Sequence, residues 1–298
     1  MTVGIAALCL DPSGGLMVIG AADRMLSVPD TEYEPAQHKV WTISTSIAAV
    51  WAGDTELVTE LLTAVTEIVR KRIERHPHTW WEVENVARVY QSQYRRVAAR
   101  RSESRILSPL RLTGETFISR QKEMNDSLVL QVAADLWNFQ LPTAEIIFTG
   151  TDHKGTHIYS SINGDLAWRN AVGFAAVGSG ASHANSQMMF RRHSKWTGVP
   201  DTLFSVHSAK RRAEVAPGVG KATDMFVIGP SLGSFFLIPE PLLNQLDTVY
   251  QGAQQATDKA IEEARQGIAS YLEKLEADSA KNQTQEATVG PENGAEKP

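Results

Sequence analysis

The apolar residues of this chain change their spacing along its length, and the order of those changes restricts the folds open to it. Thr2–Leu10 and Leu16–Ala22 are apolar runs around Asp11-Pro12-Ser13-Gly14-Gly15, which predicts two strands and a turn. Counted back from a turn centre between Pro12 and Ser13, Asp23 falls opposite Thr2. Lys39–Ala49 predicts a further strand, because it is rich in β-branched residues and Trp41, Ile43, Thr45 and Ile47 share one parity. Apolar residues continue to Gly53, and there the period becomes helical. Leu57, Val58, Leu61, Leu62, Val65, Ile68, Val69 and Ile73 predict a helix over 55–75, capped by Asp54 or Thr55 and stopped by His76-Pro77-His78. A second helix is predicted over 79–101. Residues 102–142 begin with a polar, arginine-bearing stretch and predict a helix from Leu128 to Phe139.

Three strands are then expected, at Glu145–Thr149, His157–Ser161 and Phe174–Val177, followed by helices over 182–192 and 201–216. Thr223–Ile228 and Ser234–Ile238 predict a last strand pair, and residues 240–277 one long helix. Runs of strands separated by helix pairs point to an α+β fold of antiparallel sheets covered by helices, not to alternating βαβ units. A four-layer αββα sandwich of two antiparallel sheets, with an added C-terminal helix, has this order. The expected organisation is a domain over 2–238 with an insertion at 102–142, a helix over 239–278, and a tail over 279–298. That tail lacks aromatics and is rich in Gln, Asn, Glu, Gly and Pro, which predicts disorder.

Composition narrows the function classes. The 298 residues carry 29 Lys+Arg against 34 Asp+Glu, a formal charge of −5, so no global charge calls for nucleic acid. The lone cysteine, Cys9, excludes an internal disulfide framework and a cysteine-based zinc cage, and fits a reducing, cytoplasmic compartment. The histidines have neither HExxH nor paired ligand spacing, so no metal is expected. No apolar run approaches a membrane span, and the first residues lack the basic stretch of a signal peptide.

Three features carry chemistry. Thr2 follows Met1, and Thr is small enough for the initiator methionine to be trimmed before it. A free α-amine, with an ordinary pKa of about 7.7–8.0, can then serve as base for the hydroxyl on the same residue. Asp23 and Lys39 come second: an ammonium near that amine keeps it neutral, and a carboxylate holds the ammonium. Third, Trp51-Ala52-Gly53-Asp54 marks a strand-to-helix junction, where unpaired backbone N–H groups can face an oxyanion.

Thr2-Val-Gly-Ile, Ala21-Ala22-Asp23-Arg24, Lys39-Val40 and Trp51-Ala52-Gly53 together resemble the proteasome β-type subunits and HslV-like peptidases, which are N-terminal-nucleophile hydrolases. Ile146–Gly150 and Phe174–Ala181, with its Gly178-Ser179-Gly180 turn, extend the resemblance over roughly residues 2–238, apart from 102–142. The resemblance implies Thr2 as nucleophile and base, Lys39 tuning the amine, Asp23 orienting Lys39, the Gly53 N–H on the oxyanion, and Ser179 supporting the amine. It places Ser27, Gln37, Trp51 and Thr55 around the substrate pocket. It implies cleavage of peptide or amide bonds through a Thr2 ester without a cofactor. It also implies self-association into a ring or stacked rings, and an ATPase as a partner. Departures are the longer first hairpin, Arg24 directly after Asp23, and Glu214–Gly220, which lacks the family's late acidic residue and Ser-Gly-Gly. Trp51 either narrows the specificity pocket or blocks it.

Other readings stand beside this one. A non-catalytic subunit that kept the fold is one, and a Thr-dependent transpeptidase, in which an amine replaces water, is another. Gly178-Ser179-Gly180-Ala181-Ser182-His183 imitates a dinucleotide turn but has histidine for its third glycine, and Gly218-Val219-Gly220-Lys221-Ala222 lacks the hydroxyl of a phosphate loop. Arg88, Arg95, Arg96, Arg100, Arg101 and Arg105 read as a solvated or subunit-facing helix side, since Glu82, Glu84 and Glu103 interleave.

Overall fold

The computed structural model describes residues 2–28, 31–34 and 39–288. The chain begins with a hairpin of β1 (Gly4–Leu10) and β2 (Leu16–Asp23), then a small ribbon of β3 (Leu26–Val28) and β4 (Thr31–Tyr33). β5 (Val40–Ser44) and β6 (Ile47–Gly53) lead into helices α1 (Thr55–Arg75) and α2 (Val83–Ser102). Short α3 (Gly114–Ser119) and α4 (Asp126–Asn138) precede β7 (Ala144–Asp152), β8 (Gly155–Ile162), β9 (Asp165–Trp168) and β10 (Phe174–Val177). Helices α5 (Ala181–Phe190) and α6 (Val199–Ala213), strands β11 (Thr223–Ile228) and β12 (Phe235–Leu237), and helix α7 (Glu240–Thr288) complete the order.

The fold is α+β, with two five-stranded antiparallel sheets ordered β10-β1-β2-β11-β12 and β5-β6-β7-β8-β9. α1 and α2 pack on the second sheet, α5 and α6 on the first, and the two sheets pack on each other. β6 shows why its sequence is an unbroken apolar run. Ile47, Ala49 and Trp51 enter a core with Leu57, Leu61, Val65, Val86 and Tyr90 of the helices. Ala48, Val50 and Ala52 enter the core between the sheets, with Ala6, Leu8, Ala22 and Ala175. Both faces are buried, so the alternation of a half-solvated strand is lost.

The strands differ from expectation in several details, and α2 begins at Val83, four residues after the expected start at 79. The first hairpin closes through Asp11–Gly15, where Asp11 N donates to Gly15 O and Gly14 N to Asp11 O, each at 2.8 Å. Gly14 adopts φ +92° to make that turn. The register therefore pairs Gly4 with Ala22, and Asp23 stands opposite Val3, one place from the expected Thr2. The run Lys39–Ala49 is not one strand but a hairpin that turns at Thr45-Ser46, with a register shift after Thr42. No glycine or proline marks that turn, and the apolar parity continues across it. The ribbon β3–β4 and the short β9 were not expected.

The predicted cap and stop of α1 hold: Asp54 is its N-cap and His76 its C-cap. Asp54 accepts from Leu57 N at 2.8 Å, and Gly53 precedes it at φ +109°. Residues 102–142 form a small helical layer with its own cluster of Leu107, Leu112, Phe117 and Val132. Within it α4 begins at Asp126, behind an Asn125 cap and two residues before the expected Leu128. α7 reaches Thr288, past the expected boundary at 278, and 289–298 lie outside the described residues. Among the described residues, 244–288 form a separate compact unit. Among the described residues no helix is long and apolar enough to cross a membrane.

Candidate active site

Thr2 lies just before β1 and is 2% exposed. Its hydroxyl donates to Asp23 Oδ1 and accepts from Lys39 Nζ. Each partner comes from a different segment: Asp23 ends β2, and Lys39 precedes β5. The hairpin register delivers Asp23 to the chain start, and β5 brings Lys39 to the same end of the neighbouring layer.

Asp23 has no exposed surface and is the hub of the cluster. Its Oδ1 accepts from Val3 N at 2.9 Å, and its Oδ2 from Met25 N and Gly220 N at 3.0 Å each. Lys39 Nζ lies 3.3 Å from Oδ1 and 3.5 Å from Oδ2, and it also donates to the Met25 carbonyl. A buried charge is tolerable only when it is paired and hydrogen-bonded, and both charges meet that condition. Burial pushes the Lys39 pKa down, while Asp23 and, farther off, Glu34 oppose the shift. The Trp51 ring centroid is 6.0 Å from Lys39 Nζ, at the outer range of a cation–π contact.

The backbone of Thr2 is held by the turn after β10. Ser179 Oγ accepts from Thr2 N at 3.2 Å and lies 3.3 Å from Thr2 O, and Gly180 N donates to Thr2 O at 3.3 Å. Gly178 has φ +92°, and a Cβ there would stand 2.3 Å from Thr2 O, so the turn closes on Thr2 only with glycine. Glu145 of β7 reaches across from the other sheet, accepting from Gly178 N at 2.7 Å.

Thr2, Asp23, Lys39 and Ser179 are thus joined by direct hydrogen bonds. Gly53 lies exposed at the end of β6, and the Cβ of its neighbour Ala52 comes within 3.0 Å of the position a Gly178 side chain would take. Thr55 is exposed at the start of α1, and Ser27 pairs with Glu32 in the ribbon. Trp51 is 6% exposed and packs in the helix-facing core. Gln37 lies outside the described residues. Met25, Gly220, Gly178 and Glu145 also belong to the site and were not anticipated. Their contributions run mostly through backbone atoms, which leave no residue-type signature. The glycines were visible, but Gly220 stood out only as part of a failed phosphate loop.

No protein-family model matches the chain, and no curated protein matches it in sequence.

Proposed function

We propose that this protein is an N-terminal threonine hydrolase with the N-terminal-nucleophile fold, cleaving peptide or amide bonds through a Thr2 ester. The observation that carries the reading is the convergence on Thr2 Oγ1 of a buried carboxylate and a buried ammonium from two other segments. A structural chain start has no need of such a costly arrangement.

The reading requires Met1 to be removed. Thr2 N then becomes an amine beside Ser179 Oγ. The Lys39 ammonium stabilises the alkoxide character of Oγ1 and disfavours protonation of the amine. In the first step Oγ1 attacks the carbonyl carbon, its proton passes to the amine, and the carbonyl oxygen becomes an oxyanion facing the Gly53 N–H. The C–N bond then breaks, and the departing amine takes the proton from the Thr2 ammonium. Water, deprotonated by the same amine, hydrolyses the ester and restores Oγ1–H. Loss of a donor to the oxyanion costs about 10²–10³ in rate in comparable sites.

A second reading, a non-catalytic subunit of the same fold, is favoured by one observation: in the segment after α6, Ser179 Oγ meets only the Pro217 carbonyl, at 3.3 Å. Self-association belongs to the same proposal. It is supported by the exposed Met189, Phe190 and Trp196, at 63%, 81% and 64%. The experiment is hydrolysis of fluorogenic peptides and amides by the full chain and by Thr2→Ala, with intact mass reporting Met1. Loss of turnover in folded Thr2→Ala, with Met1 absent from the wild type, is the expected result. Equal turnover by the two chains would show that Thr2 is not the nucleophile.

A further inference from the structure

A second buried ammonium lies behind the Thr2 cluster, and no step above uses it. Lys210 of α6 has no exposed surface. Its Nζ donates to Glu214 Oε1 at 2.6 Å and to the Lys221 carbonyl at 2.6 Å. Glu214 also accepts from Arg211 Nη1 at 3.1 Å, so the carboxylate is engaged away from Thr2. Burial pushes the Lys210 pKa down, and Glu214 opposes that shift.

An apolar side chain of similar volume often serves as well as a buried ion pair, so packing alone gives no reason for lysine here. The Lys221 carbonyl gives one. Residues 214–222 have no regular secondary structure, and their backbone touches two site residues. Gly220 N donates to Asp23 Oδ2 at 3.0 Å, and the Pro217 carbonyl accepts from Ser179 Oγ at 3.3 Å. The segment is pressed closely in: a Cβ on Gly220 would lie 2.0 Å from Glu34 Oε1 and 2.9 Å from Met25 Cβ. From the other side Glu34 Oε1 accepts from Ala222 N at 3.1 Å. Lys210 grips the residue between these two amides.

We propose that Lys210 is a positioning residue for the Thr2 site: by holding the Lys221 carbonyl it keeps the Gly220 N–H on Asp23, and so fixes the carboxylate that orients Lys39. The catalytic half of this inference rests on the hydrolase reading, whereas its geometric half does not.

The test uses the full chain, Lys210→Met, and the double variant Lys210→Met/Glu214→Leu. The double variant removes both charges and so keeps the fold if the single variant loses it. Two quantities are read: hydrogen exchange at the Gly220 amide, and the rate of Thr2 modification by a peptide epoxyketone. In both variants Gly220 should exchange about tenfold faster or more, while α1 amides stay protected. The maximal modification rate should fall roughly tenfold to hundredfold, with the half-saturating probe concentration unchanged, because Lys210 touches no probe atom. A purely structural lysine predicts that the double variant recovers both stability and rate. Such recovery, or a Gly220 amide as protected as in the wild type, overturns the proposal. Wild type that the probe does not modify at Thr2 overturns the hydrolase reading and the catalytic half of the inference, while exchange at Gly220 still decides the geometric half. A modified wild type with unchanged variants overturns the positioning role alone.

Discussion

Replacing Asp23 by asparagine keeps the shape of the side chain and removes its charge, and the structure sets the size of the loss. Oδ1 faces Val3 N–H at 2.9 Å and Lys39 Nζ at 3.3 Å, while Oδ2 faces Met25 N–H and Gly220 N–H at 3.0 Å. Oδ1 also accepts from the Thr2 hydroxyl, so whichever way the amide turns its NH₂ points at two or more donors, and at least two buried donors lose their acceptor. Lys39 is left charged and without its counter-ion. Removing one partner of a buried pair costs about 3–5 kcal/mol. For a domain of this size that is a fall in Tm of roughly 6–20 °C. The cost also depends on pH. Lys39 already sits below its ordinary pKa through burial, and without Asp23 it falls further. Between that folded value and the unfolded value of about 10.4, the unfolded chain binds more protons, so stability rises with pH. The deficit of Asp23→Asn should therefore be largest near neutrality and shrink toward alkaline pH. Lys39→Met should cost less, because Asp23 retains its three backbone donors. Urea unfolding followed by tryptophan fluorescence at several pH values measures all three chains. A deficit below about 1 kcal/mol, the range of a surface pair, with no pH trend would refute the reasoning.

Three further outcomes follow from the packing. Gly178→Ala places a Cβ 2.3 Å from Thr2 O at φ +92°, so it should lose about 1–3 kcal/mol and most turnover; melting and hydrolysis assays check both. Trp51→Ala should cost about 3–5 kcal/mol in urea unfolding, because the indole fills the core between β6 and the helices. Cys9 is buried and its thiol is pushed up to about 12 by that burial, with Asp11 adding to the shift, so iodoacetamide at pH 8 should label it only after denaturation, read by mass.

Periodicity made most of the fold legible. Phe174–Val177 and Thr223–Ile228 match β10 and β11 residue for residue, and 55–75 matches α1, because a capping Asp54 and the stop at His76 bracket a clean helical stripe. What escaped was decided by the backbone. The Thr45-Ser46 turn uses residues that also suit strands, so nothing interrupts the pattern. The hairpin register depends on a loop of odd length, which composition does not fix. At the site, Thr2, Asp23 and Lys39 were legible because their chemistry is in their side chains. Met25 and Gly220 act through a carbonyl and an amide, which every residue carries. Lys210 left no signal within the expected helix over 201–216, since one of its partners, the Lys221 carbonyl, enters through the turn that follows.

The most direct measurement of the central claim is the mass of the N-terminal peptide after reaction with a peptide epoxyketone. That probe closes a ring on both the hydroxyl and the amine of one threonine. The account predicts a single adduct on a peptide that starts at Thr2, absent from Thr2→Ala. An N-terminal peptide that keeps Met1 and carries no adduct, in a folded chain that still hydrolyses amides, would contradict it.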